Sequence, residues 1–303
     1  MVKLAHISDI HLAPLPKPRW WELIGKRITG YLNWQKNRDH RINARPLAAL
    51  MLALREQLPD HTVISGDLVN LSLQAEFSAM ERWLCKEASG KDIFLTLGNH
   101  DAYVCGAFDQ ACRMFAPWIE GERAPETVGA FPVMRVVGDV AVIAASSALA
   151  TPPFCAAGYF DVAQEKSLGW LLEAAAARGL FRVVMIHHPP FMEGVAWHRK
   201  LWGVQRFWRV IRNYGCELIL HGHTHEPSLY YVDAIRGSPP VVGVASASQS
   251  FGGVAPAASF NLFHIDRGIS DWSCCLQRYQ VLDAANTIGL VEEIDLSCTL
   301  NHC

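Results

Sequence analysis

The sequence predicts a layered α/β fold, and two observations carry this prediction. Half of the 303 residues are hydrophobic and 18% are charged, a balance typical of a globular chain with a sizeable core. Short apolar runs rich in β-branched residues alternate with segments whose apolar residues recur every three or four positions. Strands buried on both faces that alternate with helices indicate layered α/β packing.

Eight strands and four helices are predicted from these patterns. The predicted strands are Lys3 to Ser8, Thr62 to Ser65, Ile93 to Leu97, Val140 to Ser146, Arg182 to Ile186, Glu217 to Leu220, Val241 to Ala245 and Phe260 to Ile265. The predicted helices are Ala44 to Gln57, Gln74 to Ala88, Val162 to Arg178 and Leu201 to Asn213. No internal repeat interrupts this alternation.

Charge and cysteine content exclude several classes of protein. The net charge of −2 and the pI near 6.7 give no global attraction to nucleic acid or to an anionic surface. A polar block at residue 9 leaves no room for a signal peptide, and no apolar run of about 18 residues predicts a spanning helix. The nine cysteines form no CxxC pair, so we predict reduced, mostly buried thiols in a cytoplasmic protein.

Five polar blocks each follow directly on an apolar run. They are Asp9-Ile10-His11, Gly66-Asp67, Gly98-Asn99-His100-Asp101, His187-His188-Pro189-Pro190 and His221-Gly222-His223-Thr224-His225. In open α/β sheets, loops from many strands converge on a crevice at the carboxyl ends of the strands. Five strand ends that bring His, Asp and Asn to one crevice predict a multinuclear metal centre.

The spacing and type of these residues fit such a centre. Asp9 and His11 are two positions apart, as are His223 and His225, so in an extended segment each pair points to one side. Glycines beside the polar residues permit tight turns and a close approach to an ion or an anionic substrate. A set of nitrogen and oxygen ligands without thiolate suits Mn, Fe or Zn better than Mg, and leaves the choice among those three open.

The five blocks resemble the calcineurin-like metallophosphoesterase superfamily, whose pattern is D-x-H, G-D, G-N-H-[DE], a later His block and G-H-x-H. All five occur in that order between Asp9 and His225. The resemblance implies a four-layer αββα sandwich, in which helices flank two mixed β-sheets and a dinuclear metal site lies at the strand C-terminal ends. We predict one catalytic domain over residues 1–268, with a basic-aromatic insertion at about 14–41, and a C-terminal accessory segment over 269–303.

The resemblance assigns a role to each residue of the blocks. One ion would be held by Asp9, His11 and His225, the other by Asn99, His187 and His223, and Asp67 would bridge the two. His100 would be the catalytic histidine and Asp101 would orient it. A hydroxide that bridges the two divalent or mixed-valence ions would attack phosphorus, while His100 stabilises the transition state or protonates the leaving group.

Three functions are compatible with this pattern. The GNHD and HHPP blocks look most like phosphodiesterases of the cyclic-nucleotide and glycerophosphodiester type, which makes phosphodiester hydrolysis our first prediction. The alternative is hydrolysis of a lipid-linked or nucleotide-linked pyrophosphate at a membrane surface, similar to the UDP-diacylglucosamine pyrophosphatases. The third is a non-catalytic metal-binding interaction protein, against which the complete ligand set counts.

The insertion is rich in basic and aromatic residues. One interpretation is peripheral contact with the inner membrane face through Trp20, Trp21, Lys26, Arg27 and Trp34. The other is that the tryptophans pack on the core while the basic residues are solvated. Base stacking on the tryptophans is a weaker third interpretation, because no nucleic-acid module is visible.

The remaining histidines lie outside the superfamily pattern. We predict structural or surface positions for His6, His61, His198, His264 and His302. His188 and His221 lie beside ligands without belonging to the pattern.

Overall fold

The computed structural model describes residues 1–38, 41–87, 92–191, 195–233, 237–268 and 271–297. The helices are α1 (Lys26–Asn33), α2 (Ala44–Glu56), α3 (Gln74–Glu87), α4 (Ala107–Met114), α5 (Ala116–Ile119), α6 (Val162–Ala177) and α7 (Val204–Tyr214). The first seven strands are β1 (Val2–Ile7), β2 (His61–Ile64), β3 (Ile93–Leu95), β4 (Val133–Val137), β5 (Val140–Ala144), β6 (Gly158–Tyr159) and β7 (Phe181–Met185). The others are β8 (Leu201–Trp202), β9 (Leu218–His221), β10 (Ser228–Tyr231), β11 (Pro240–Gly243), β12 (Ser259–Arg267), β13 (Trp272–Val281) and β14 (Ile288–Asp295).

Two six-stranded mixed sheets form the centre of the fold. The first has the order β14-β13-β12-β1-β2-β3, in which β1, β2 and β3 are parallel and the other three strands are antiparallel. The second has the order β10-β11-β9-β7-β5-β4, with β5, β7, β9 and β11 parallel. Helices flank the two sheets, so the predicted α/β sandwich of two mixed sheets is confirmed.

Strand periodicity decides which side chains enter which core. On β7, Val183 and Met185 belong to the core that also contains residues of the first sheet, such as Phe263 of β12. Val184, between them, belongs to the core formed with α6 and α7, where Trp208 is buried. Because successive side chains of a strand point to opposite faces, one apolar run serves both layers.

The structure corrects one predicted element and adds several. The predicted helix from Leu201 begins only at Val204, because Leu201–Trp202 pairs with β6 and Gly203 turns with a φ of 84°. The added strands include β13 and β14, which come from the predicted accessory segment and extend the first sheet. Alternation of buried and exposed residues along β13 is the sequence signal for that strand. Cys298 and Cys303 lie outside the described residues.

The insertion forms three short helical pieces that pack on the body of the protein. A 3-10 turn covers Trp20–Leu23, α1 follows, and a π-helical turn covers Trp34–Arg38. The predicted membrane contact includes Lys26 and Arg27, but the structure turns both side chains inward. Lys26 Nζ donates to Thr151 Oγ1 at 2.8 Å, and the Arg27 guanidinium donates to backbone carbonyls of residues 71 and 72. Among the described residues, no helix is long and apolar enough to cross a bilayer.

Candidate metal centre

Five loops that follow parallel strands carry the predicted site residues. Three of these loops leave β1, β2 and β3 of the first sheet, and two leave β7 and β9 of the second. Parallel strands end at the same edge of a sheet, so both sheets deliver their loops to one place. The seven predicted metal ligands and His100 all lie in these loops.

The backbone at the site is held in a conformation that few residues adopt. Nine described residues other than glycine have positive φ, and five of them are predicted ligands. These five are Asp9, His11, Asp67, His223 and His225, with φ between 41° and 67°. Asp and His tolerate the left-handed region better than most residues, yet it still costs free energy. Such strain is concentrated at functional sites because the surrounding fold enforces the geometry there.

Asp9, His11 and His225 form the first group of ligand atoms. His225 Nε2 lies 3.2 Å from Asp9 Oδ1 and 3.3 Å from His11 Nε2. His11 Nδ1 donates to the Val69 carbonyl oxygen at 3.1 Å, which leaves the lone pair on Nε2 inside the group. Asp9 Oδ1 is buried and has no hydrogen-bond partner among the described residues. An orphaned carboxylate oxygen beside two imidazole nitrogens is the arrangement that a cation would satisfy.

Asn99 and His187 lie at the second predicted ion. His187 Nε2 lies 3.3 Å from Asn99 Oδ1 and 3.4 Å from Asp67 Oδ2. His187 Nδ1 donates to the Ser65 carbonyl oxygen at 2.8 Å, so Nε2 is the ring nitrogen that faces these two oxygens. His223 adds its ring beside His187, with the ring centroids 5.2 Å apart.

Asp67 lies between the two groups. Its Oδ2 is 3.8 Å from His11 Nε2 of the first group and 3.4 Å from His187 Nε2 of the second. Two ligand atoms that are each about 2.1 Å from one ion, at angles between tetrahedral and right-angled, lie about 3.0–3.4 Å apart. The observed separations fit this range or lie slightly above it. The residues present therefore fit two neighbouring ions that share the Asp67 carboxylate.

The charges at the site favour a cation. Burial lowers the pKa of His187, but Asp67, Asp9 and the Ser65 carbonyl together outweigh burial and raise that pKa to about 9. Burial opposes ionisation of Asp67, but His187 and His100 hold its pKa well below the ordinary value. Burial and the neighbouring His188 hold the pKa of His223 well below the usual range, so His223 is neutral and can act as a ligand.

His100 is placed beside both groups. Its ring Nδ1 donates to the Asn70 carbonyl oxygen at 2.5 Å, and its backbone N–H donates to Asp67 Oδ1 at 2.8 Å. The ring lies edge-on to His11 and stacks on Tyr103, with centroids 4.8 Å and 5.4 Å away. These contacts occupy Nδ1 and hold the ring in place, so Nε2 is the nitrogen of His100 that can meet a substrate.

The carboxylate of Asp101, which the sequence predicts to orient His100, accepts hydrogen bonds from backbone amides of two loops. Its Oδ1 accepts from the backbone N–H groups of Leu68 and Val69, and its Oδ2 accepts from that of Gly98. Asp101 therefore ties the Asp67 loop to the Asn99 loop, while the Asn70 carbonyl orients the imidazole of His100. Burial and the neighbouring Asp67 raise the pKa of Asp101 to about 7, although the amides of Gly98 and Val69 oppose that rise.

Glu76 is a supporting residue that sequence reasoning missed. It is buried, and its two carboxylate oxygens accept from the backbone N–H groups of Asn70, Leu71 and Leu73. These bonds fix the loop that offers the Asn70 carbonyl to His100. The available signal is a glutamate at the start of a helical pattern, where its carboxylate can reach back to free N–H groups.

His188 and His221 are buried beside the ligands, and their nitrogens are engaged elsewhere. His188 lies within reach of His187 and His223 as a third possible ligand. However, its Nδ1 lies 2.8 Å from Ser147 Oγ and its Nε2 lies 2.9 Å from the Ala156 carbonyl oxygen. The two nitrogens of His221 lie near the Gly222 carbonyl oxygen and Ser228 Oγ. We therefore assign both histidines to the support of the ligands.

The metal centre opens into a cavity of about 910 Å³. Besides five of the predicted site residues, its walls include Arg41, His198 and Arg199. Sequence reasoning missed these three, and placed His198 among the structural or surface histidines. Their only sequence signal is that Arg41 ends the insertion and that His198 and Arg199 belong to a second stretch rich in Trp and Arg, Trp197 to Arg212. Arg41 and Arg199 bring two positive charges to a cavity wall that also includes the acidic Glu226, and two cationic residues favour an anionic substrate.

The parallel strands of the two sheets bring two adjoining groups of His and Asp side chains together. This arrangement is typical of one class of protein, the dinuclear metallohydrolases. Residues 2–227 match the family described as calcineurin-like phosphoesterase. The chain belongs to this family, as the sequence predicts, and is a phosphoric ester hydrolase.

Solved structures show the same fold. A dimetal phosphatase from Danio rerio is 11% identical with a TM-score of 0.61, and the alignment covers 98% of each chain. A purple acid phosphatase from yellow lupin (Lupinus luteus) is 10% identical with a TM-score of 0.61, over 97% of this chain and 53% of that one. By sequence, no curated protein matches the chain.

Gly222→Ala will weaken the first ion site. A Cβ at this position would overlap Ser8 Oγ and lie 2.6 Å from Asp9 Oδ2, so the Asp9 carboxylate must move. We expect the affinity for a divalent ion to fall about 10–100-fold, as when a ligand loses its support. Competition with a chromogenic chelator measures this affinity. Gly253→Ala is the control, because its nearest neighbour would be 3.5 Å away; equal affinities in the two variants would contradict the prediction.

Ion binding at the second site will release a proton below about pH 9. In ion-free protein, His187 keeps its proton up to its raised pKa of about 9, whereas a ligating imidazole is neutral. The apparent affinity should therefore rise about tenfold per pH unit up to that pH and then level off. Calorimetry at pH 7 in two buffers of different protonation enthalpy counts the protons. Wild-type protein should release about one more proton than His187→Gln; identical counts would be the opposing result.

Proposed function

We propose that this protein hydrolyses a phosphodiester of the cyclic-nucleotide or glycerophosphodiester type, with two Mn, Fe or Zn ions at the centre described above. The observation that carries the proposal is the cavity. Its walls include Asp67, Asn99 and His100 together with Arg41 and Arg199. A volume of about 910 Å³ gives room for substituents on both sides of a phosphorus atom.

The ligand set supports the choice of ions. The predicted ligands are imidazole nitrogens and carboxylate or amide oxygens, which suit Mn, Fe and Zn. When bound, the pair of ions lowers the pKa of a water molecule and neutralises charge on the phosphoryl oxygens. The protein residues supply the rest of the proposed mechanism.

His100 is the proposed proton donor. Because the Asn70 carbonyl accepts the Nδ1 proton, a second proton on Nε2 is the one that can pass to the leaving oxygen. Tyr103 and His11 limit rotation of the ring, so this proton keeps its direction. Arg41 and Arg199 can bind oxygens of the substrate that do not react.

His100→Ala will separate proton donation from metal binding. We expect kcat to fall about 10²–10⁴-fold for a glycerophosphodiester, whose alkoxide leaving group needs a proton. The loss should be smaller for bis(p-nitrophenyl) phosphate, because p-nitrophenolate leaves without one. Metal content should stay at the wild-type level.

His264→Ala is the matched histidine control, since His264 hydrogen-bonds Gln277 on β13 away from the cavity. Asp67→Ala and Asn99→Ala should abolish both activities. An equal loss for both leaving groups in His100→Ala would exclude proton donation. Wild-type protein without turnover in any divalent ion would favour the metal-binding interaction protein.

A substrate panel will separate diester hydrolysis from its alternative. With Mn²⁺, cyclic nucleotides or glycerophosphodiesters should be hydrolysed with a kcat/KM at least about tenfold above a phosphomonoester, because the cavity offers contacts to both substituents. Phosphate release and product chromatography give the rates. Turnover of nucleotide-linked lipids alone would replace the proposal by pyrophosphate hydrolysis, and a preference for monoesters would refute both.

A further inference from the structure

Five large apolar side chains of the insertion are exposed to solvent, and four of them, Trp20, Ile24, Ile28 and Leu32, recur at intervals of four residues. Trp20 is 75% exposed, Ile24 72%, Ile28 50% and Leu32 58%; we refer to them as the apolar row. Ile28 and Leu32 lie one turn apart on α1, and the other two lie in the segment that leads into it. Proteins rarely leave several large apolar side chains of one segment uncovered unless the segment meets a partner or a membrane.

The opposite side of the insertion is fixed to the protein. Lys26 and Arg27 make the inward hydrogen bonds already described, and Lys26 Nζ lies 4.4 Å from the centroid of the Tyr103 ring. A Cβ at Gly30 would overlap the Tyr103 hydroxyl, so α1 lies directly against that ring. The apolar row is therefore held in place on a packed element, with its side chains directed outward.

Two further exposed aromatic residues lie on the segments between the insertion and the cavity. Phe154 is 85% exposed and precedes Cys155, whose carbonyl oxygen accepts from Lys26 at 3.2 Å. Trp197 is 67% exposed and precedes His198, whose carbonyl oxygen accepts from the N–H of Ala156 at 2.8 Å. His198 and Ala156 line the cavity. Hydrogen bonds thus connect α1 to Cys155, and Ala156 to His198 on the cavity wall, and Phe154 and Trp197 adjoin these residues in the chain.

Charge identifies the partner that fits this surface. The insertion (residues 14–41) has seven Lys and Arg residues against two acidic ones, in a chain whose net charge is −2. Lys17, Arg19 and Lys36 are exposed there, and Arg41 and Arg199 line the cavity. Exposed Trp and Ile beside basic residues is the composition of a surface that binds anionic lipid. A second copy of the chain fits less well, because a two-fold contact would place like charges opposite each other.

We propose that the apolar row, together with Phe154 and Trp197, is a docking surface for an anionic phospholipid bilayer. Docking would place the mouth of the cavity at the level of the lipid headgroups, where Arg41 and Arg199 face anionic groups. This inference goes beyond the proposed reaction, because binding to a bilayer requires no turnover.

Co-sedimentation with vesicles tests the proposal. The full chain is mixed with vesicles of phosphatidylcholine and phosphatidylglycerol in equal parts, and with vesicles of phosphatidylcholine alone. We expect clear binding to the first and much weaker binding to the second. The variant Ile24→Gln, Ile28→Gln, Leu32→Gln should bind the mixed vesicles at least about tenfold more weakly, since it removes three apolar side chains from the contact.

The control variant is Leu52→Gln, Leu58→Gln, Leu290→Gln, which removes three other exposed leucines and should bind as wild type does. Circular dichroism confirms that both variants fold. Equal binding to the two kinds of vesicle, equal binding of the two variants, or no binding of wild type would overturn the proposal. Self-association of wild type that the row variant loses, without vesicle binding, would identify a second copy as the partner instead.

Hydrolysis of bis(p-nitrophenyl) phosphate by wild type, measured without vesicles, separates the two proposals. Turnover without vesicle binding refutes docking alone. Vesicle binding without turnover refutes the proposed reaction alone.

Discussion

The structure depends on a group of buried atoms that repel one another unless positive charge lies between them. The carboxylates of Asp9 and Asp67 and the Nε2 lone pairs of His11 and His187 converge within a few ångströms. The direction of these lone pairs is fixed from behind, because backbone carbonyls accept the Nδ1 protons of both histidines. In a buried, weakly polar environment such an arrangement is costly without a cation. Bound cations would therefore stabilise the folded state, since their binding would offset the cost of assembling their ligands.

The need to bring these ligand atoms together also explains the path of the chain at the site. Ligand atoms can meet at these distances only if the loops of both sheets approach each other closely. The left-handed backbone at Asp9 and Asp67 turns each side chain back toward the centre directly after its strand. Gly98 and Gly222 lie where any Cβ would overlap the neighbouring ligand loop. Ser246 on the second sheet donates to the Asp9 carbonyl oxygen at 2.7 Å and thereby joins the two sheets beside the ions. Local strain is thus balanced by contacts between distant segments.

Features that depend on a local sequence pattern could be predicted, whereas features that depend on packing between distant segments could not. The period of the apolar residues gave the strands that precede each block, and the blocks themselves indicated which side chains would converge. Asp101 shows where this reasoning stops, because three backbone amides of two loops occupy its carboxylate and no sequence pattern specifies them. His198 resembles any surface histidine in the sequence, and only the pairing of β6 with β8 brings its segment to the cavity. The sequence pattern places Lys26 on a solvated helix face, but its ammonium group donates a hydrogen bond to Thr151, more than a hundred residues away.

The insertion connects the outer surface to His100, the proposed proton donor, through the ring of Tyr103. The Lys26 ammonium lies on one side of the Tyr103 ring, and the ring stacks on His100. Burial lowers the pKa of Lys26 to about 8, a sign that much of its hydration has been replaced by these contacts. Pulling the insertion away would expose Tyr103 and leave carbonyl oxygens near Cys155 and Leu71 without their donors. A bilayer bound to the outer face would therefore contact an insertion that is already packed on the rest of the protein. Docking would then orient the cavity toward the lipid surface and leave the support of His100 unchanged.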